Sequence, residues 1–245
     1  MLLLLLLILC VSPLYGAIND LAETYYSQVS PNGKILTNAE DMGLEIDKIY
    51  LYTKNQKLSE RDGISLDAFY LYLTNKIYSG DKLSAQQVKA LEDKRNEMLA
   101  YMKSNPVDSA FITVLADIGF VMSTYKSLPT LISISKQNLK FYEQAIKMDN
   151  TFFMAYIRMA MWYYYAPKYG GGSLDKTLDY LNQAEKYAVT KREQLELYLW
   201  RSQVYFRKGE EQKAEEEIKI AHNMFPDNMM IQKAIDANVN GEYYK

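Results

Sequence analysis

Small side chains recur at fixed offsets through the C-terminal half of this chain, and this recurrence restricts its possible folds more than any other feature. In three segments, a large apolar residue is followed three positions later by alanine. These pairs are Tyr142 and Ala145, Leu181 and Ala184, and Ile218 and Ala221. Residues of modest size stand four positions before each large one, at Asn138, Thr177 and Ala214. Such residues are expected where packed helices cross closely, because a larger side chain would push the two backbones apart.

The helices that precede these segments carry a matching small residue, at Gly119, Ala160 and Ser202. A pattern that persists through three consecutive helix pairs predicts a stack of similar units, because each unit covers its apolar face with the next one. The sequence therefore favours a helical solenoid over a closed bundle.

Apolar residues follow a helical period from the first polar residues to the end of the chain. The predicted helices span residues 19–29, 37–55, 65–79, 84–104, 107–125, 130–149, 151–165, 173–188, 191–208, 210–223 and 227–238. Only 11 of the 245 residues are Gly and 6 are Pro, which favours long helices over a β fold with many turns. Ser84, followed three residues later by Gln87, predicts a capping box at one helix start. We therefore expect an all-α fold.

Two stretches carry a resemblance to the tetratricopeptide repeat. They are YEQAIKMDN at 142–150 and AEEEIKIAHNMFPDN at 214–228, and Pro226 stands where that repeat often has proline. This family combines small residues at helix crossings with large apolar residues between them, as the pattern above does. The chain thus resembles an exported bacterial member of the tetratricopeptide family.

The resemblance implies a short right-handed superhelix of antiparallel helix pairs. Three repeats would cover residues 107–226. Residues 17–106 would form an N-terminal helical region in which 65–104 is a candidate for one degenerate repeat. Residues 227–245 would supply a C-terminal capping helix and a tail, as the exposed end of a solenoid requires.

The first residues indicate export. Residues 2–9 are a run of Leu and Ile, and the small residues Gly16 and Ala17 follow a few positions later. This arrangement is typical of a secretory signal peptide over residues 1–16, although no lysine or arginine precedes Lys34. The run is too short for a comfortable transmembrane helix.

Cys10 is the only cysteine, and it allows two interpretations. Cleavage after Gly16 would remove it and leave a periplasmic or secreted protein. Alternatively, Cys10 is the lipid-modified cysteine of a lipoprotein, although it follows Leu9 and not a small residue. In either case no disulfide framework remains, and any membrane contact would come through the signal peptide or this lipid anchor.

Charge and motifs argue against nucleic-acid binding and against catalysis. The net charge is −2, and the densest basic cluster comprises only Lys186, Lys191 and Arg192, whereas a nucleic-acid-binding protein needs a basic stripe. His222 is the only histidine, so a zinc site with three or four Cys or His ligands is not expected. No HExxH, GxSxG or GxxxxGK[ST] motif occurs. We expect no enzymatic activity, no cofactor and no metal.

The segment APKYGGGSLDK at 166–176 allows two interpretations. Three glycines before a helix N-terminus could expose backbone N–H groups to an anion. The simpler interpretation is a turn that ends with Ser173 as the N-cap of the next helix. The sequence favours the turn.

In the tetratricopeptide family, the first helix of each pair lines a concave groove. The resemblance therefore assigns the candidate binding residues Phe120, Met161, Tyr164, Tyr165, Gln203, Phe206 and Arg207, with Arg158 beside them. Arg158 lies in an otherwise apolar helix, so its charge needs a partner. The groove lacks the Lys/Asn clamp with which some members hold a peptide C-terminus. The alternative is that these side chains pack as core against the helices before residue 107.

An apolar groove with few polar groups suits a protein or peptide partner, or a small apolar ligand. Our first hypothesis is therefore an exported scaffold for protein–protein interaction in the bacterial cell envelope. The second is a periplasmic ligand-binding component, since the chain is similar in general plan to exported tetratricopeptide proteins that are associated with TRAP-type solute transporters.

Overall fold

The structure is a computed structural model that describes residues 13–78 and 82–244. The apolar run at residues 2–9 and Cys10, on which the export and lipoprotein predictions rest, lie outside the described residues. Within them the fold is all-helical without strands, as predicted; the one β-type contact is an isolated bridge between Val29 and Ile35.

Eleven α-helices follow one another through the described residues. They are α1 (Pro13–Ser27), α2 (Ala39–Lys54), α3 (Glu60–Tyr78), α4 (Ala85–Ser104), α5 (Ser109–Ser123), α6 (Leu128–Met148), α7 (Phe153–Tyr165), α8 (Leu174–Glu185), α9 (Lys191–Arg207), α10 (Glu211–Met224) and α11 (Met229–Val239). The capping box predicted at the start of α4 is confirmed, since the Ser84 hydroxyl accepts from the Gln87 N–H and the Gln87 side chain accepts from the Ser84 N–H.

Among the helix boundaries that differ from the prediction, two have a local reason. Helix α3 begins at Glu60 and not at residue 65, because the Ser59 hydroxyl accepts the Asp62 backbone N–H at 3.1 Å and so caps an earlier first turn. Helix α1 ends at Ser27, because Gln28 has a φ of +58°, in the left-handed region that non-glycine residues rarely adopt.

The C-terminal half is built of neighbouring helix pairs, in which α5 packs with α6, α7 with α8, and α9 with α10. The small residues identified from the sequence are buried. Fully buried or nearly so are Gly119, Asn138, Ala145, Ala160, Thr177, Ala184, Ser202, Ala214 and Ala221. At Gly119 the approach is direct: a Cβ atom there would lie 2.5 Å from Asn138 Oδ1 on the facing helix α6. Small side chains therefore occupy the places where the helices come closest.

The N-terminal helix α1 lies inside the fold and not at its edge. It packs against α2, α3 and α9, and most of its described side chains are buried, including Leu21, Ala22 and Tyr26. The start of α11 closes over its end: the Asn228 side-chain amide donates to the Tyr26 carbonyl at 2.8 Å. The Met229 backbone N–H donates to Gln28 Oε1 at 2.6 Å. Residues near the two ends of the described chain therefore meet, and both α1 and α11 pack against the last helix pair.

The glycine-rich segment forms the predicted turn, with Ser173 as the N-cap of α8. The backbone N–H groups of Gly170, Gly171 and Gly172 donate to carbonyls within the turn, and that of Ser173 donates to the Tyr163 carbonyl at 3.1 Å. A Cβ atom at Gly172 would lie 1.8 Å from the Ala166 carbonyl oxygen, so the turn requires glycine there. These N–H groups already have partners, which leaves none of the four for an anion.

We predict that Gly119→Ala destabilises the protein by about 1–3 kcal/mol, because the new methyl group would overpack the crossing of α5 and α6. The displaced atoms would be Asn138 Oδ1 and Arg95 Nε, both of them buried, the second 2.8 Å from the new Cβ. Urea unfolding followed by circular dichroism measures the change.

Gly63→Ala is the matched control, because a Cβ atom at Gly63 in α3 would meet no atom within 4 Å. Replacing an unhindered helical glycine by alanine stabilises a helix by about 0.5–1 kcal/mol. If both variants were stabilised equally, the close approach at Gly119 would be disproved.

Candidate functional site

A cleft opens where the inner face of the helix pairs is only partly covered by the rest of the chain. It has a volume of about 530 Å³, within the range of small-molecule sites. Its walls come from α1, α2, α3, α5 and α11 and from the segment after α11. Lining residues that matter below are Tyr25, Lys76, Phe120, Val121, Met230 and Tyr244.

A smaller void of about 90 Å³ continues this cleft towards α7 and α9. The cleft and the void share four lining residues, namely Tyr25, Lys76, Met230 and Tyr244. The walls of the void are otherwise mainly apolar or aromatic, with Met161, Tyr165, Leu195, Leu199 and Trp200. The two spaces therefore form one elongated site, and Lys76 stands at their junction.

Lys76 is the charged group at the centre of this site. Its amine lies over the Tyr72 ring, 5.0 Å from the ring centroid, and its side chain remains accessible to water. No acidic side chain of the described residues forms an ion pair with it. Partial loss of water lowers the pKa of Lys76, but the nearby Tyr25 and Tyr26 outweigh this effect, so that the pKa lies above its usual value. The amine is therefore a charged group in an aromatic setting, without an ion-pair partner among the described residues.

The floor of the site is a buried polar network centred on Arg158 of α7. The Arg158 guanidinium donates from Nε to Asp117 Oδ2 at 2.9 Å and from Nη2 to the Tyr26 hydroxyl at 2.8 Å. The Tyr142 hydroxyl donates to the other Asp117 oxygen at 2.9 Å. The partner that we expected for the charge of Arg158 is thus Asp117 of α5. Through Tyr26 and Tyr142 the network also includes α1 and α6. Burial and the Asp117 charge raise the pKa of the Tyr142 hydroxyl well above its usual value, which keeps it a donor.

A second buried pair joins this network to α9. Arg192 Nη1 donates to Glu196 Oε1 at 2.7 Å, and the other Glu196 oxygen lies 3.7 Å from Arg158. Loss of water lowers the pKa of Arg192, but Glu196 and Glu193 outweigh this effect and raise it. Glu196, the one acidic residue that lines the void, is therefore neutralised by two arginines.

The residues after α11 cover the far end of the predicted groove. The Arg207 guanidinium lies between the rings of Tyr164 and Tyr243, at 4.4 and 4.6 Å from their centroids. The Tyr244 backbone N–H donates to Gln203 Oε1 at 2.9 Å. This part of the groove is therefore occupied by the chain itself.

The structure divides the predicted groove residues into two groups. Phe120, Met161 and Tyr165 are half-buried and line the cleft or the void. Buried beneath other parts of the chain are Arg158, Tyr164 and Gln203, whereas Phe206 is half-buried and Arg207 lies at the surface beside Tyr243. Their role in binding stays a prediction.

Sequence reasoning did not identify Tyr25, Lys76, Met230 and Tyr244 as part of the site. All four lie outside the three predicted repeats, and they reach the inner face only because α1, α3 and α11 fold against it. The one local signal was Lys76 itself, a cation among the aromatic residues that line one face of α3.

The described residues do not form a metal-binding site. They hold no group of three or more His, Cys, Asp or Glu side chains with the geometry to bind a metal ion. Within residues 13–78 and 82–244, no helix combines the length and hydropathy needed to cross a bilayer.

Comparison with known proteins gave no relative: no family model matches this chain, and no curated protein matches it significantly.

We predict that Arg158→Met lowers the free energy of unfolding by about 3–5 kcal/mol, because it leaves the buried Asp117 carboxylate without its cation. The double variant Arg158→Met, Asp117→Asn should recover part of this loss, since no uncompensated charge then remains. Denaturant unfolding of the wild type, both single variants and the double variant gives the coupling energy. Additive losses would show that the two side chains do not interact as the structure has them.

Proposed function

We propose that this chain is a non-enzymatic binding protein that holds a small, largely apolar ligand in the cleft between α1, α3, α5 and α11. The observation that carries the proposal is the cleft itself. The rest of the predicted inner face is filled by α1 and by the residues after α11, which leaves little room for an extended peptide or a partner helix. The cleft has the size of a small-molecule site, and its walls combine apolar side chains such as Phe120 and Met230 with polar ones such as Asn75 and Lys76.

The proposal includes a fold of the tetratricopeptide kind, as a short right-handed superhelix that closes on itself. Its support is the burial of the repeated small residues, among them Ala145, Ala184 and Ala221, together with the packing of successive helix pairs. It also includes export to the bacterial periplasm, on the strength of the apolar N-terminal run, and a role beside a solute transporter.

A second candidate function, the protein-interaction scaffold, is supported by an apolar patch on α2. Leu44, Leu51 and Tyr52 are 52%, 58% and 73% exposed. Their spacing of seven and eight residues puts them on one face of the helix. Large apolar side chains grouped on a surface are typical of protein contacts. In this alternative the partner would bind α2 and not the cleft.

The ligand proposal predicts that native mass spectrometry of freshly purified protein detects a bound small molecule. Val121→Trp should abolish this adduct, because the indole would fill the cleft from α5. Val189→Trp is the matched control, since Val189 is 83% exposed in the turn before α9 and does not line the cleft. An adduct that persists in folded Val121→Trp protein, or a bare mass for the wild type, would count against a ligand in the cleft.

The scaffold alternative predicts that the double variant Leu44→Ser, Leu51→Ser loses a cross-linked partner from a cell-envelope fraction, because the apolar contact area is removed. The matched control is Leu128→Ser, Ile132→Ser, which alters two exposed residues of α6. Equal cross-linking by both double variants would rule out α2 as the contact surface.

A further inference from the structure

Among the described residues, the charged side chains that line the cleft are all positive. Among the described residues, Lys76 and Lys233 line its larger part, and no aspartate or glutamate lines it. In the smaller void, Glu196 is neutralised by Arg192 and Arg158. The described lining of the site therefore carries a net positive charge, although the whole chain has a net charge of −2.

Lys76 differs from the two buried arginines nearby, because no carboxylate of the described residues pairs with it. Arg158 and Arg192 each contact a carboxylate within 3 Å, whereas the amine of Lys76 faces tyrosine rings and water. An ammonium group that stays accessible to water inside a cleft carries only a small desolvation penalty, and this penalty rises when a ligand excludes the water. A ligand that displaces this water must supply a negative charge in its place.

The surroundings of Lys76 suit a small anion with an apolar body. Burial raises the pKa of Tyr25 to about 12, so its hydroxyl is neutral and able to donate a hydrogen bond at physiological pH. Further along the site lie Phe120, Met161 and Met230, which offer flexible thioether and aromatic contacts to a hydrocarbon. At the junction of the two spaces Lys76 is the one lysine among the described residues, since Lys233 lines only the larger cleft, and a single ammonium group matches a single carboxylate. Phosphate sites usually gather several cations or backbone N–H groups around one anion.

We propose that the cleft binds a small monocarboxylate with an aliphatic or aromatic body, whose carboxylate pairs with Lys76 and whose body lies against Phe120, Met161 and Met230. This inference rests on the proposed function and adds the chemical class of its ligand.

The test uses isothermal titration calorimetry with two probes of nearly equal shape, octanoate and octanamide. Wild-type protein should bind octanoate at least tenfold more tightly than octanamide, because only octanoate forms a charge-assisted contact with the amine. Lys76→Met keeps a long apolar side chain without the charge. It should weaken octanoate binding about tenfold or more and leave octanamide binding unchanged, which also shows that its cleft is intact.

Lys147→Met is the control for a general loss of positive charge, because Lys147 is exposed on α6 and lines neither space. It should bind both probes as the wild type does. Lys76→Arg should retain the preference for octanoate, since it retains the cation.

Three results would overturn the inference: no octanoate binding, equal binding of the two probes by the wild type, or an unchanged preference in Lys76→Met. The proposed function fails separately. If native mass spectrometry finds a neutral or cationic ligand in the cleft, the proposed binding function stands, and the inference that the ligand is a carboxylate is wrong. If neither probe binds and no adduct is found, both are wrong.

Discussion

The ion pair between Arg158 and Asp117 is the contact on which the rest of the structure depends. Both groups are almost fully buried, and a buried charge is tolerated only with a partner and a complete set of hydrogen bonds. Asp117 alone does not complete the set around the guanidinium, whose remaining nitrogens lie near the Tyr26 hydroxyl and Glu196. Because Tyr26 belongs to α1, the helix pairs satisfy their own buried arginine only when the N-terminal helix lies against their inner face.

This requirement determines what kind of site the chain can have. A stack of helix pairs with a free inner face would offer a long groove, as the first hypothesis from the sequence assumed. With α1 docked on Arg158 and the start of α11 bonded to the end of α1, most of that groove becomes interior. Openings remain beside α3, where the cleft lies, and between α1, α2 and the start of α9. The size of the site therefore follows from a polar contact that lies beneath it.

Local physical rules account for the parts of the structure that the sequence predicted well. The capping box at Ser84, the N-cap at Ser173 and the small residue at Gly119 each depend on neighbours in one helix or in the next. The start of α3 was predicted too late, because its first turn contains Gly63 and depends on the cap that Ser59 provides. Part of the site was predicted for the same reason, because Phe120, Met161 and Tyr165 lie at groove positions of the predicted repeat, which recur at helical spacing. Residues on α1, α3 and α11 were not predicted, since their approach depends on contacts between distant segments, such as that of Tyr26 with Asn228, 202 residues apart.

The contrast between Arg158 and Lys76 connects the fold to its proposed use. Each is a cation near tyrosine rings on the inner side of the helix pairs. Arg158 is buried and pairs with the Asp117 carboxylate, so its charge takes part in the stability of the fold. Removal of Asp117 would lower the free energy of unfolding. Lys76 keeps its water and has no carboxylate among the described residues, so the fold does not need its charge. A charge that contributes little to stability, kept at the junction of two apolar spaces, is available for an incoming anion.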